Sequence, residues 1–241
     1  MPTLNIFKTT NEVLTGLADF FVKCASEAIA THGRFTVALS GGSSPKALYE
    51  LLASADYKDQ VEWAKVYFFF GDERNVLDTH PDSNALMAKK ALFDPLNIEH
   101  NHLFKVNTMH SPDEAAKEYT DNIKNFFNHE TAVFDLVLLG LGDNSHTASL
   151  FPHTTILHDI TASVEPVWLE DQQVYRISFT ALLINQARYI AFLVYGGGKA
   201  EAVHHVLEDA RNIEEYPAQL IRTDADVHWF LDEPAASVIK H

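Results

Sequence analysis

One segment of the sequence combines glycines with side chains that move protons in enzymes. The stretch LGLGDNSHTASLFP, residues 139–152, follows an apolar run and contains Asp143, Asn144 and His146. Histidine titrates near neutrality, so its imidazole can take a proton from water at physiological pH. Asp143 or Asn144 could hold the ring in the productive tautomer, as the third group of a nucleophilic triad does. The segment therefore predicts His146 as a general base, with a structural histidine as the alternative.

A second segment has the composition of an anion-binding turn. It runs from Ser40 to Pro45 (SGGSSP), after the apolar run FTVAL. Glycines let the backbone turn tightly and approach a ligand, and proline suits the first position of a helix. The free amides at the start of such a helix attract an anion. The segment matches neither GxGxxG nor a P-loop, so a plain helix-capping turn is the alternative.

Charged side chains follow or interrupt three further apolar runs. Asp72, Glu73 and Arg74 come directly after VYFFF, where the alternative is a solvated loop with an internal ion pair. Arg176 lies within VYRISF, and a charge inside such a run needs a partner or a ligand. Lys199 follows three glycines at the start of a predicted helix, where the helix dipole disfavours a cation. A bound anion would remove that penalty, and an exposed surface lysine is the alternative.

The net charge restricts the kinds of partner that we expect. The chain has 33 acidic and 18 basic residues, a net charge of −15. Nucleic acids and anionic membranes need clustered lysine and arginine, so we expect neither as a partner. The same charge would repel a phosphorylated small molecule. A phosphate site would therefore have to be built locally from a few cations and backbone amides.

Cysteine and histidine usage predicts neither a disulfide nor a metal site. The one cysteine, Cys24, lies in an amphipathic stretch at residues 17–30 and is interpreted as a buried structural thiol. There are 13 histidines but no HExxH or cysteine-rich spacing, and adjacent His204 and His205 face different sides of a helix. No signal peptide or membrane span is visible, so a cytoplasmic location is expected.

The elements that must position these residues alternate along the chain. Predicted strands lie at residues 35–39, 66–70, 134–139, 174–179, 189–195 and 227–231, and predicted helices at residues 11–32, 45–55, 83–92, 112–129 and 199–208. This alternation predicts a single α/β domain over residues 1–241, with an open, mostly parallel sheet. In such sheets ligands bind beyond the carboxyl ends of the strands, where most of the motifs above lie.

Taken together, the motifs resemble the 6-phosphogluconolactonase family, which shares a fold superfamily with the glucosamine-6-phosphate deaminases. The resemblance covers nearly the whole chain, in the stretches LSGGSSPKALYELL, FFGDERNV, HPDSNALMAKKALF, FDLVLLGLGDNSHTASLFP, YRISFTALLINQARYIAFLVYGGGKAEAV, YPAQLIR and HWFLDEPAA. It implies a modified Rossmann-like fold with helices on both faces of the sheet. It also implies hydrolysis of a 6-phosphogluconolactone in the oxidative pentose-phosphate pathway, without metal, nucleotide or other cofactor.

The resemblance also implies a role for each candidate residue. His146 matches the family's general base, which draws a proton from the attacking water, and Arg74 lies close to the reacting end. Nearby amides or Arg74 would stabilise the tetrahedral oxyanion, as acyl-transfer chemistry requires. The predicted catalytic set is His146, Arg74, Asp143 and Asp72; the predicted substrate- and phosphate-binding set is Ser40, Gly41, Gly42, Ser43, Arg176, Lys199 and Asn144.

Two positions depart from the family pattern. The family usually carries Asp-Gly immediately before the histidine, where this chain has Asn144 and Ser145. An asparagine can hydrogen-bond to the imidazole but brings no charge, so it cannot raise its basicity as a carboxylate would. Asp143, one residue earlier, could take over that role. Ser145 restricts a backbone position at which glycine is usual.

Two other functions remain open at the level of sequence. Deaminases of the superfamily have Asp-Glu-Tyr where this chain has Asp72-Glu73-Arg74, and they place a glutamate at the position of Phe151, which cannot transfer a proton. A non-catalytic sugar-phosphate sensor is the second alternative. The chain is expected to be a monomer or a small homo-oligomer. The enzyme hypothesis requires that His146 and the Gly41–Gly42 turn share one cleft.

Overall fold

The computed structural model of the protein describes residues 2–221 and 226–240, and Arg222, the last residue of the YPAQLIR stretch, lies outside this range. The described strands are β1 (Thr3–Phe7), β2 (Phe35–Leu39), β3 (Val66–Phe70), β4 (Asp72–Arg74), β5 (Leu136–Leu139), β6 (Val164–Leu169), β7 (Val174–Phe179), β8 (Tyr189–Val194) and β9 (Asp226–Asp232). The described α-helices are α1 (Thr10–His32), α2 (Ser43–Leu52), α3 (Asn84–Ala88), α4 (Asp94–Leu96), α5 (Pro112–Phe126), α6 (Ala181–Asn185) and α7 (Ala200–Leu207).

Six of these strands form one parallel sheet in the order β1-β9-β8-β5-β2-β3. Every residue of β2 and β5 is buried, as expected for strands that are covered on both faces. Along β2, Val37 and Leu39 pack with residues of α1 and α2, whereas Ala38 packs with residues of α5. The structure therefore confirms the predicted α/β fold, with a mostly parallel sheet and helices on both of its faces.

A second, smaller sheet differs from the prediction. Strands β4, β7 and β6 form a three-stranded antiparallel sheet, so the strand predicted at residues 174–179 lies outside the parallel sheet. The sequence does not predict β1, β4 or β6, because none of them has the apolar run of a buried strand. β4 consists of three charged residues, β6 contains Pro166, and β1 is partly exposed at the sheet edge.

The helix predicted at residues 83–92 is divided in the structure. Ser83 caps its start, because the Ser83 hydroxyl accepts a hydrogen bond from the amide of Leu86. α3 then ends at Ala88, and the chain continues as a π-helical turn over Lys89–Phe93. The other four predicted helices form with bounds within three residues of those predicted.

Helix α1 covers one face of the sheet and contains the cysteine. It begins with a capping box between Thr9 and Glu12 and ends at Gly33, which has the left-handed conformation that favours glycine. Cys24 is buried on its inner face, and burial raises the pKa of the thiol above its ordinary value. No α-helix in the described part of the chain is long and apolar enough to cross a bilayer.

Parallel pairing brings the carboxyl ends of the central strands to one edge. β2, β3, β5 and β8 all end there, so the turns that follow these four strands are neighbours. The small sheet is fixed beside the same edge, because the amide of Phe179 donates to the carbonyl of Gly71 over 2.8 Å. Residues of β7 therefore reach a site that the parallel sheet alone would not have included.

The opposite end of the sheet depends on one buried carboxylate. Asp135 accepts hydrogen bonds from the amide and hydroxyl of Thr36 at 2.9 and 2.8 Å, from His32 Nε2 at 2.9 Å, and lies 3.3 Å from Arg188 Nε. Asp135→Ala would leave the buried amide and hydroxyl of Thr36 without their acceptor, and an unsatisfied buried donor costs about 1–3 kcal/mol. We therefore expect the free energy of unfolding to fall by about 2 kcal/mol. Urea denaturation followed by circular dichroism measures the difference.

The matched control is Glu50→Ala, which breaks only the exposed Lys46–Glu50 pair and should change the unfolding midpoint little. If the two variants had the same midpoint, the Asp135 contacts would contribute no more to stability than a surface ion pair does.

Candidate active site

A cleft of about 430 Å³ lies at the carboxyl edge of the parallel sheet. Its walls come from the turns after β2, β3, β5 and β8 and from the hairpin of β6 and β7. His146 and the Gly41–Gly42 turn both line it, so the geometric condition for the enzyme hypothesis is met. The predicted residues on the lining are Ser40, Gly41, Gly42, Ser43, Asp72, Arg74, His146, Arg176 and Lys199; Asp143 and Asn144 are not on it.

The turn after β2 presents amides of a helix start to the cleft. Gly42 has φ +105°, a conformation that glycine adopts readily, and it precedes α2 without any side-chain cap. The first amides of α2 therefore lack side-chain acceptors and remain available to an anion. Ser40 differs from its neighbours, because its amide donates to the Tyr49 hydroxyl at 3.0 Å and its carbonyl accepts from that hydroxyl at 2.9 Å. Its backbone thus anchors the turn instead of facing a ligand.

Two neighbours fix the orientation of the His146 ring. The ring stacks on Phe151 with centroids 4.0 Å apart, and its Nδ1 lies 2.5 Å from Asn144 Oδ1. Because Oδ1 can only accept, this contact places the proton on Nδ1 and leaves the Nε2 lone pair free to accept another. Gly142 makes room for the ring, since a Cβ atom there would lie 2.0 Å from Nδ1.

Asp143 does not hold the imidazole. Its carboxylate lies 2.5 Å from Lys199 Nζ, and its side chain is 82 % exposed. The hypothesis that Asp143 replaces the family's missing carboxylate is therefore corrected: the neutral amide of Asn144 makes the orienting contact. The reason is local geometry. The side chain of Asn144, two residues before the histidine, reaches Nδ1, whereas that of Asp143, three residues before it, extends toward Lys199.

The surroundings of His146 favour the neutral imidazole. Burial is the largest cause, and the positive charges of Lys199 and Arg176 add to it, so that the pKa of His146 is lowered to about 4. The charge of Asp143 acts in the opposite direction and is the smallest of the four effects. At neutral pH the ring is therefore unprotonated and able to accept a proton.

Ser145 occupies the position where the family usually has glycine, and its backbone adopts the conformation that glycine would. Its φ is +59°, in the left-handed region that is costly for most residues. Two hydrogen bonds hold it there: its amide donates to the carbonyl of Gly142 at 3.0 Å, and its carbonyl accepts from the amide of Ala218 at 2.9 Å. These two hydrogen bonds hold the left-handed backbone of Ser145 within the loop.

Asp72 and Glu73 are adjacent but face different surroundings. Asp72 is 8 % exposed, lines the cleft, and accepts from the Ser149 hydroxyl at 2.7 Å. Glu73 is buried and accepts from the amides of Arg74, Asn84 and Ala85 at 2.7 to 2.8 Å. Burial raises the pKa of Glu73 despite these bonds. Glu73 thus ties β4 to α3, whereas the carboxylate of Asp72 is available to a ligand.

Two guanidinium groups lie side by side across the small sheet. Arg74 and Arg176 are direct partners in the β4–β7 register. Arg74 donates to the carbonyl of Asp82 at 2.6 Å, and Arg176 donates to Gln172 Oε1 at 3.3 Å. Within residues 2–221 and 226–240, neither arginine forms an ion pair with a carboxylate. Burial and the charge of Arg74 lower the pKa of Arg176. Two adjacent cations without carboxylate partners favour an anion in this part of the cleft.

Several lining residues are absent from the predicted set. Asn84, Ser149 and Gln172 contact predicted residues through their side chains. Ser149 lies in the His146 segment and Asn84 in the HPDSN stretch. Both segments were identified from other residues, so neither side chain was predicted to line the site. Among the described residues, no cluster of three or more histidine, cysteine or acidic side chains is arranged to hold a metal ion.

The chain is similar to known proteins over most of its length. A family model described as glucosamine-6-phosphate isomerases/6-phosphogluconolactonase matches residues 8–229. The chain is 39 % identical over 219 residues to a 6-phosphogluconolactonase of Synechocystis sp., covering 89 % of each chain, and 36 % identical over 239 residues to one of Nostoc sp., covering 98 % and 97 %. A solved 6-phosphogluconolactonase of Trypanosoma cruzi superimposes with a TM-score of 0.88 at 25 % identity, covering 100 % and 98 %.

The contact between Asn144 and His146 predicts the titration of the ring. Replacing Asn144 with aspartate puts a negative charge next to Nδ1, which favours the imidazolium, so Asn144→Asp should raise the pKa of His146 from about 4 toward its ordinary value. NMR titration of the imidazole resonances measures it. The control is Asp143→Asn, which removes a charge that raises the pKa and should not raise it. An unchanged titration in Asn144→Asp would contradict the contact.

Proposed function

Because the chain belongs to the glucosamine-6-phosphate isomerase/6-phosphogluconolactonase family, we propose that it hydrolyses 6-phospho-D-glucono-1,5-lactone to 6-phospho-D-gluconate with His146 as the general base. This reaction belongs to the oxidative pentose-phosphate pathway. One observation carries the mechanism: a single cleft holds a neutral imidazole together with a set of backbone amides and cations. A sugar phosphate can place its lactone carbonyl at the imidazole and its phosphate at the amides and cations.

The reaction begins with a water molecule between the lactone carbonyl and His146. As the water oxygen bonds to the carbonyl carbon, Nε2 takes the water proton, and the carbonyl oxygen becomes an oxyanion. Arg74 stabilises that charge. The bond between the carbonyl carbon and the ring oxygen then breaks, the imidazolium returns its proton to that oxygen, and the new acid ionises. Asn144 keeps Nε2 as the accepting nitrogen throughout.

The phosphate is held by the turn after β2 and by cations of the same cleft. The amides of Gly41, Gly42 and Ser43 contact its oxygens, and Arg176 and Lys199 supply positive charge. Lys199 Nζ lies 2.5 Å from a carboxylate oxygen of Asp143. A phosphate dianion competes with that carboxylate for Lys199, so part of the binding energy is used to separate an existing pair.

The geometry disfavours the deaminase reaction. That reaction needs an acid–base group to open the sugar ring, and the position five residues after the histidine holds Phe151. The Phe151 ring stacks on the imidazole and carries no proton to donate. A sensor that binds the sugar phosphate without catalysis is an outcome of the first test below.

We also propose a cytoplasmic location, consistent with the buried Cys24.

The role of His146 is tested by His146→Ala. A positioned general base contributes about 10²–10⁴ in rate, so we expect kcat to fall by that factor while KM changes little. The assay follows freshly generated lactone with spontaneous hydrolysis subtracted. His153→Ala is the matched control, since His153 directly follows the His146 segment but is mostly exposed and lies within 4 Å of the carboxylates of Glu214 and Glu215.

The outcomes of that assay separate three possibilities. A normal kcat in His146→Ala would exclude His146 as the base. A wild-type protein that binds 6-phosphogluconate without accelerating hydrolysis would be a sensor, and the proposed activity would be wrong. A loss in His146→Ala with a normal His153→Ala supports the mechanism.

Because Asp143 and the phosphate compete for Lys199, removing Lys199 and removing Asp143 should change KM in opposite directions. Lys199→Ala should raise KM, whereas Asp143→Ala should lower it by about two- to fivefold, because an exposed ion pair of 0.2–1 kcal/mol no longer has to be broken. Steady-state kinetics at low and high ionic strength measure both effects, and salt should reduce each. A higher KM in Asp143→Ala would mean that Asp143 itself contacts the substrate.

A further inference from the structure

The side chain of Asn84 lies in the cleft against both Asp72 and the turn at Gly41. It is 1 % exposed and belongs to the cleft lining together with Gly41 and Asp72. Its Nδ2 donates to the main-chain carbonyl of Asp72 at 2.9 Å and lies 3.4 Å from the Asp72 carboxylate. Its Oδ1 has no hydrogen-bond partner among the described residues. A buried polar group with a free acceptor needs an explanation beyond packing.

The orientation of this amide is determined by its neighbours. Rotating the amide by 180° would place Oδ1 against the carbonyl and carboxylate oxygens of Asp72, so that acceptors faced acceptors. Nδ2 must therefore face Asp72, and Oδ1 must lie on the other side. On that side is Gly41: a Cβ atom built there would lie 1.9 Å from Oδ1, 2.4 Å from Cγ and 2.6 Å from Nδ2. The amide fills the space in which a side chain at position 41 would lie.

The local fold does not need this side chain. The start of α3 is capped by the Ser83 hydroxyl, and the main-chain amide of Asn84 donates to Glu73 at 2.7 Å. Both contacts would persist with alanine at position 84. The amide group is thus engaged only with Asp72 and with the turn at Gly41.

We propose that Asn84 is a positioning residue that fixes the anion-binding turn relative to Asp72. Asp72 in turn accepts from Ser149, three residues after His146, so the contacts run from the Gly41–Gly42 turn to the His146 segment. The close packing against Gly41 holds the amides of the turn at a set depth in the cleft. The role of Asn84 in catalysis rests on the proposed lactone hydrolysis, whereas its effect on anion binding does not.

The test uses the space that Gly41 and Asn84 share. Gly41→Ala should displace the turn, because the new Cβ overlaps an amide that is held by Asp72. Asn84→Ala removes the obstructing atoms, so Gly41→Ala should be tolerated in that background. Asn84→Asp has the same shape as asparagine, so it should not rescue Gly41→Ala. Affinity for inorganic phosphate is measured by calorimetry, and KM and kcat are measured with the lactone.

In the wild-type background we expect Gly41→Ala to weaken phosphate binding and to raise KM by about tenfold or more. In the Asn84→Ala background the same substitution should change both by less than about threefold. The difference is within the coupling range for residues in contact. Gly71→Ala is the control, since its Cβ would lie 3.6 Å from the Leu39 carbonyl. Its effect should be the same in both backgrounds.

Each outcome bears on one proposal. If Gly41→Ala weakens phosphate binding equally in all three Asn84 backgrounds, the positioning role is wrong. If the wild-type protein does not accelerate lactone hydrolysis, the proposed function fails, while coupling in phosphate affinity still supports the positioning role. If Gly41→Ala alone does not fold, the two double variants are compared for folded protein. Folding with Asn84→Ala but not with Asn84→Asp supports the proposal. Failure of both double variants to fold contradicts it.

Discussion

Parallel pairing of β2, β5 and β8 is the constraint on which the site depends. Because the three strands run in the same direction, the turns that follow them lie at one edge, and the helices return the chain to the other. The Gly41–Gly42 turn, the His146 segment and Lys199 come from these turns. The small antiparallel sheet then adds Arg74 and Arg176 beside them. Each chemical group is thus supplied by a different part of the chain.

The cleft holds positive side chains, whereas the chain as a whole carries a large negative charge. The protein carries a net charge of −15, yet Arg74 and Arg176 have no carboxylate partner within the described residues. The cations that would attract a phosphate also disfavour a positive charge on His146, whose pKa falls to about 4. A carboxylate at position 144 would oppose that effect. The neutral Asn144 orients the ring without opposing it, so this chain combines an oriented imidazole with low basicity.

The His146 loop shows how a departure from the family pattern can be accommodated. Ser145 adopts a left-handed conformation that glycine would adopt at lower cost, and hydrogen bonds to Gly142 and Ala218 compensate for it. The conformation of the loop is therefore determined by its surroundings as much as by its own residues. The same holds for the turn at Gly41, whose position depends on the amide of Asn84.

The amino-acid pattern alone predicts the α/β class, most of the buried strands and helices, and the segments that meet in the cleft. These features follow from periodicity and from residues within a few positions of each other, such as Asn144 and His146. The contact of Asp143 with Lys199, 56 residues away, and that of Asp72 with Ser149, 77 residues away, become visible only in the folded chain. The same is true of the separation of β7 from the parallel sheet. Local patterns do not encode such contacts, because they depend on how distant segments pack once the sheet has formed.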